Sequence, residues 1–164
     1  MATIMAPLIG LILGPYLGVV AVSMGGFIGW IITQAGPFSF LSFIPNAAAA
    51  LCSGLLYNRR STSSVVLYSA LLLALAFYPP IGPAWLYPNY LWLEVAGLIV
   101  LVSPLRTRAG DLTHKHSSLL ELSFGMGIIS FMATLFGQIV GSIMFEMMYW
   151  PMVYSQTEAW KVIV

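Results

Sequence analysis

Residues 4 to 33 run without a charged side chain, and Gly10, Gly14-Pro15, Gly18, Gly25-Gly26 and Gly29 punctuate them. As one helix the stretch would rise roughly 45 Å, more than the ~30 Å hydrocarbon core of a bilayer requires. Two readings are open. One is a single tilted span kinked at Gly14-Pro15, where Pro15 lacks a backbone donor and clashes with the carbonyl four residues back. The other is a short N-terminal helix followed by a second from Pro15 to Thr33. The first thirty residues carry no Lys or Arg, so the positive start of a cleaved signal is missing and a mature membrane segment is expected.

The remaining composition points the same way. Of 164 residues, 60% are hydrophobic and 7% charged, where a soluble domain carries roughly 25% charged residues. Six Lys plus Arg, five Asp plus Glu and two His cannot coat a water-exposed surface. That excludes an ordinary soluble enzyme, a disordered regulator and a disulfide scaffold. The net charge of +1 also excludes nucleic-acid binding through a basic face. At about 20 residues per span there is room for five to six transmembrane helices. The expected fold is all-α, a polytopic membrane helix bundle forming one domain over residues 1–164.

Prolines and arginines mark the expected spans. The segment Gln34 to Ile44 contains Gly36-Pro37, and helix resumes at Pro45, a suitable first-turn residue, to about Tyr57. That helix rises only about 20 Å and cannot span alone, so the preceding loop is expected to dip into the membrane against protein or a wet cavity. Arg59-Arg60 end it, and further spans run from about Val65 to Tyr78 and from about Asn89 to Ser103. Trp85, Tyr87, Tyr90 and Trp92 cluster as an interfacial belt does. A polar loop, 105–117, precedes a last helix from about Ser118 to Trp150, stopping at Pro151. By the positive-inside rule, loops 59–63 and 105–117 are cytoplasmic, while loops 34–44 and 79–88 and the C-terminus lie outside.

Candidate chemistry is sparse. Cys52 is the single cysteine and reads as a small packing residue. His114 and His116 flank Lys115 and fit a headgroup-facing surface better than a metal site. No nucleophilic triad or phosphate loop occurs, so no enzyme activity, metal or cofactor is expected. Intramembrane carboxylates are functional candidates by default because they are expensive there. Glu94 and Glu146 lie near outer helix ends, whereas Glu121 reads as a first-turn residue favourable to the helix dipole. Gln34, Asn46, Asn89 and Gln138 gather toward the outer side. With Trp30, Trp92 and Glu94 they form a candidate substrate pocket of flat apolar walls and few polar groups; an aromatic belt with interhelical contacts is the plainer alternative. Fourfold spacing of Ala6, Gly10, Gly14 and Gly18, and of Ala133, Gly137 and Gly141, gives seams for close helix packing, within the bundle or against a partner.

One family shares several of these features. Gly14-Pro15-Tyr16-Leu17-Gly18, Gly25-Gly26-Phe27-Ile28-Gly29, a Gly-Pro loop, Phe43-Ile44-Pro45-Asn46, and Gly54-Leu55-Leu56-Tyr57 before Arg59-Arg60 resemble the substrate-binding S-components of energy-coupling factor transporters. The likeness covers residues 8 to 60. It implies a six-helix bundle that captures a vitamin-like small molecule or metal ion from outside, with a membrane coupling subunit and a cytosolic ATPase pair as partners. The rival expectation is a non-catalytic accessory subunit of a larger membrane complex, such as an oxidoreductase or oxygenase. Cysteine placed at Ser61 or Thr107 is predicted to react with a membrane-impermeant thiol reagent only from the cytoplasmic side. Labelling of either from outside would overturn the orientation.

Overall fold

The computed structural model describes residues 2–33, 41, 43–77, 88–114 and 118–153. The described residues fold into six α-helices: α1 Ala2–Thr33, α2 Phe43–Tyr57, α3 Ser61–Phe77, α4 Pro88–Val102, α5 Leu105–His114 and α6 Leu119–Val153. This is the expected all-α bundle. Gln34, Trp85, Tyr87, Lys115, His116 and the loops containing them lie outside the described residues, as do the side chains of Asn89, Tyr90, His114 and Glu146.

The first stretch is two arms. Gly14 has φ 79° and ψ 177°, a region essentially closed to other residues. In a straight helix Gly10 and Gly18 would be about 12 Å apart. Here a Cβ on Gly18 would stand 2.9 Å from the Cα of Gly10. Ala6 and Val22, equally spaced about Gly14, share one buried cluster with Ala47, Ala49 and Ala50. The chain therefore folds back at Gly14, and Pro15 opens the second arm as a first-turn proline. The reading of two helices holds, and the Ala6–Gly18 stripe is corrected: it does not line one helix face, because its glycines face each other across the turn.

Helix α2 packs chiefly against α1. Gly54 sits against the turn, where an added Cβ would lie 2.6 Å from Pro15 Cα. At the other end of α2, a Cβ on Gly137 of α6 would meet the Pro45 carbonyl oxygen at 2.6 Å, and one on Gly141 would meet Pro45 Cγ at 3.3 Å. The Gly137–Gly141 seam thus packs inside the molecule. Helix α6 touches each of the other five and supplies fully buried Ile129, Met132, Ala133 and Ile139 to the core, beside Tyr68 of α3 and Leu101 of α4.

One expectation fails at the lower end, where Gly14, Arg59-Arg60 and α5 lie. Residues 105–117 are not one polar loop, since residues 105–114 form α5. Pro104 breaks α4, and the Ser103 hydroxyl donates back to the Val100 carbonyl at 2.6 Å and accepts from the Leu105 N–H at 3.2 Å. Ala109 and Gly110 are buried, and the Ala109 carbonyl lies 2.9 Å from where a Gly125 Cβ would stand. Helix α6 begins with a reciprocal cap: the Ser118 N–H donates to Glu121 Oε2 at 3.3 Å, and the Glu121 N–H to Ser118 Oγ at 3.4 Å. At its far end α6 continues through Pro151 to Val153.

Two stretches, Met5–Thr33 and Leu119–Met144, are long and apolar enough to cross a membrane. In the first, the fold-back leaves residues 15–33 as one continuous arm, a rise of about 28 Å. The glycines separate by mechanism. Gly14→Ala meets no backbone neighbour but must hold a glycine-only conformation, and is expected to destabilise by about 1–3 kcal/mol. Gly137→Ala is expected to destabilise through the Pro45 carbonyl. Gly25→Ala and Gly29→Ala, which meet nothing within 4 Å, should be neutral or stabilising by up to about 1 kcal/mol. Thermal unfolding of the detergent-extracted variants checks the ranking.

Candidate functional site

Glu94 lies on the inward stripe of α4. Positions 91, 94, 97, 98 and 101 recur at helical spacing, with Leu91 and Leu101 in the core. Glu94 is 3% exposed, and its Oε2 has no hydrogen-bond partner among the described residues. One turn below it, Gly97 lets α3 approach: a Cβ there would lie 2.5 Å from the Tyr68 hydroxyl and 2.6 Å from Leu135 Cδ1. The fully buried Tyr68 hydroxyl donates to the backbone carbonyl of Glu94 at 2.8 Å. Its ring lies 6.0 Å from that of Phe136. Tyr68 thus fixes the backbone of Glu94 without engaging its Oε2. Ser64, one turn before Tyr68, is also buried and lies beside Cys52.

The other candidates do not gather around this carboxyl. Trp92 is 67% exposed: residues two apart on a helix point about 200° apart, so with Glu94 inward, Trp92 faces out. Trp30 and Asn46 are half-buried, and each has an interaction partner; the Trp30 ring leans on Phe27 at 6.0 Å. Both stand on the α1–α2 side. Helix α4 packs on α3, α5 and α6, without comparable packing on α1 or α2 among the described residues. Gln138 is exposed, beside the buried Gly137 and Ile139. A cage with both tryptophans clamping a ligand against Asn46 and Glu94 is therefore corrected: α4 turns Trp92 away, and α6 stands among the remaining helices. Tyr68 was not singled out from sequence. The signal available was a tyrosine among aliphatic residues one turn after Ser64; its partner Gly97 is distant in the chain.

Among the described residues no group of three or more His, Cys, Asp or Glu could hold a metal ion. Comparison with family models, curated proteins and solved structures finds no match.

The two polar groups predict opposite outcomes. Tyr68→Phe removes one buried hydrogen bond and should cost about 0.5–1.5 kcal/mol, while an unpaired buried polar oxygen costs about 1–3 kcal/mol. Glu94→Leu should therefore raise the unfolding midpoint in detergent and Tyr68→Phe should lower it. A lowered midpoint for Glu94→Leu would mean that the carboxyl has a stabilising partner.

Proposed function

We propose that the chain is a polytopic membrane protein that captures a small ligand for an energy-coupling-factor-type transporter. Membrane placement is supported by the apolar exterior: Ile12, Ile32, Leu119 and Leu120 are each at least 75% exposed. Apolar surface on this scale is rare on a soluble monomer and ordinary in lipid. Helices α2, α3 and α4 are shorter than a perpendicular span, with 15, 17 and 15 residues, and they complete the bundle around α6. Described charged side chains other than Glu94 belong to the lower end, which is the cytoplasmic side by the positive-inside rule.

The observation that carries capture is the buried Oε2 of Glu94, which has no hydrogen-bond partner among the described residues. A buried acid in an apolar bundle is costly, and its retention has a reason when a ligand donor completes it. The ligand class is accordingly one that presents an N–H or O–H donor to Glu94, entering from the end where α4 begins, about two turns away. The resemblance to the S-components adds support through its own residues. Gly14-Pro15 and Gly54 meet, as do Gly10 and Gly18, and Gly26 packs on Phe43, so several of the motif residues make close contacts. Such a subunit hydrolyses no ATP itself and needs a membrane coupling subunit and an ATPase pair.

The outward-facing Trp92, and the place of Asn46 on α2, on which α4 has no comparable packing among the described residues, favour a second reading, an accessory subunit of a larger membrane complex. Native mass spectrometry of the gently extracted protein separates the two. Capture predicts a small-molecule adduct that Glu94→Gln weakens. Loss of a charge-assisted hydrogen bond costs about 1.5–3 kcal/mol, roughly a 10- to 150-fold change in Kd. Co-purifying redox or oxygenase subunits without an adduct would replace capture with the accessory reading.

A further inference from the structure

We propose that the cleft at the Gly14 turn seats the headgroup of an anionic phospholipid, with an acyl chain running along the first and second arms of α1. This rests on the membrane placement above and is independent of ligand capture. The cleft is an open recess of about 360 Å³ between the turn and the end of α2. Its walls divide by chemistry. Ile12, Leu13 and Leu17 are 79%, 45% and 66% exposed and form an apolar flank. Tyr16, Tyr57 and Asn58 form the polar part. The Asn58 amide nitrogen lies 3.6 Å from where a Gly14 Cβ would stand, so the bare glycine leaves room beside it.

The charge at the rim selects an anion. Arg60 reaches the cleft by donating from a guanidinium nitrogen to the Tyr16 hydroxyl at 3.5 Å. That contact is long and leaves its other donors free. The neighbouring Arg59 is paired with Asp111 of α5 at 3.1 Å. Arg60 has no carboxylate partner among the described residues. An arginine, a side-chain amide and a phenol together offer N–H and O–H donors, which suits a phosphate. The adjoining exposed aliphatic flank suits a hydrocarbon chain, and tyrosines at such a level are normal for the headgroup zone. Basic recesses between helices on the cytoplasmic side are recognised headgroup sites. A free phosphate would use the donors and leave the apolar flank in contact with nothing of its own kind.

The test uses the full chain in detergent, depleted of lipid and confirmed helical by circular dichroism. Phosphatidylglycerol and phosphatidylcholine are titrated separately and bound lipid is read by native mass spectrometry. The expected result is phosphatidylglycerol binding at least tenfold tighter than phosphatidylcholine. Arg60→Gln should abolish the preference, Asn58→Leu should reduce it, and Arg60→Lys should retain most of it. Arg108→Gln, an exposed arginine on α5, should leave it intact. Equal retention of the two lipids would overturn the proposal, as would indifference to Arg60→Gln. Full displacement of phosphatidylglycerol by millimolar inorganic phosphate would assign the cleft to a free anion. A co-purified protein subunit whose binding alone falls with Arg60→Gln would assign it to a protein contact. Recovery of the chain in the aqueous fraction without detergent would overturn the membrane placement itself, a result separate from any lipid preference.

Discussion

Helix α2 is held at both ends by backbone packed against glycine, and the rest of the bundle depends on that clamp. At the lower end Gly54 admits the Gly14-Pro15 turn; at the upper end Gly137 admits the Pro45 carbonyl. Between them Ala47, Ala49 and Ala50 present almost no side-chain bulk to α1. Where the surroundings are as apolar as the side chains, helices gain little by excluding solvent. Close approach, with its dense dispersion contacts, then does most of the work of association. A short Ala-rich helix wedged between a hairpin and a long central helix is a structure that small residues permit.

The lower end shows how the polar chain segments are managed around that clamp. After α2, the Arg60 N–H donates to the Leu55 carbonyl at 2.9 Å and the Arg59 N–H to the Leu56 carbonyl at 3.2 Å. This is the two-bond helix stop that normally has glycine at its left-handed position. Arg59 holds that position with φ 58°. An exposed ion pair contributes little stability, so Asp111 does not compensate the backbone strain in full. The pair's effect is geometric: it ties the α2–α3 turn to α5 and leaves Arg60 turned toward the cleft.

Much of the helix layout was legible from punctuation. Arg59-Arg60, Pro104 and Ser118 stop or start helices by removing donors, adding charge or capping, and these effects are local. The Gly14-Pro15 ambiguity was not local. A kinked span and a fold-back share the same residues, and the choice lies with Gly54 and Ala50, more than thirty positions away. Helix α5 was missed because ten residues of polar mean character read as a loop between apolar spans; burial of Ala109 and Gly110 against α6 stabilises it. At the candidate site the inward stripe of α4 was readable from Leu91, Glu94 and Leu101. The same spacing already set Trp92 on the opposite face, so grouping Trp92 with Glu94 overlooked helical phase. No spacing rule could have brought Tyr68 to Gly97.

The fold-back at Gly14 also changes what the first thirty residues mean for assembly. A single kinked span would leave its two ends on opposite faces of a bilayer, whereas a hairpin returns them to the same face. For a chain that spans a bilayer, the parity of every later segment, counted from the first residue, would thereby be reversed. The hairpin carries no polar loop at its tip to draw it across. In a chain placed in a bilayer as proposed, the hairpin would enter as one apolar unit with its turn at the headgroup level, and the departure from a continuous helix is confined to a glycine.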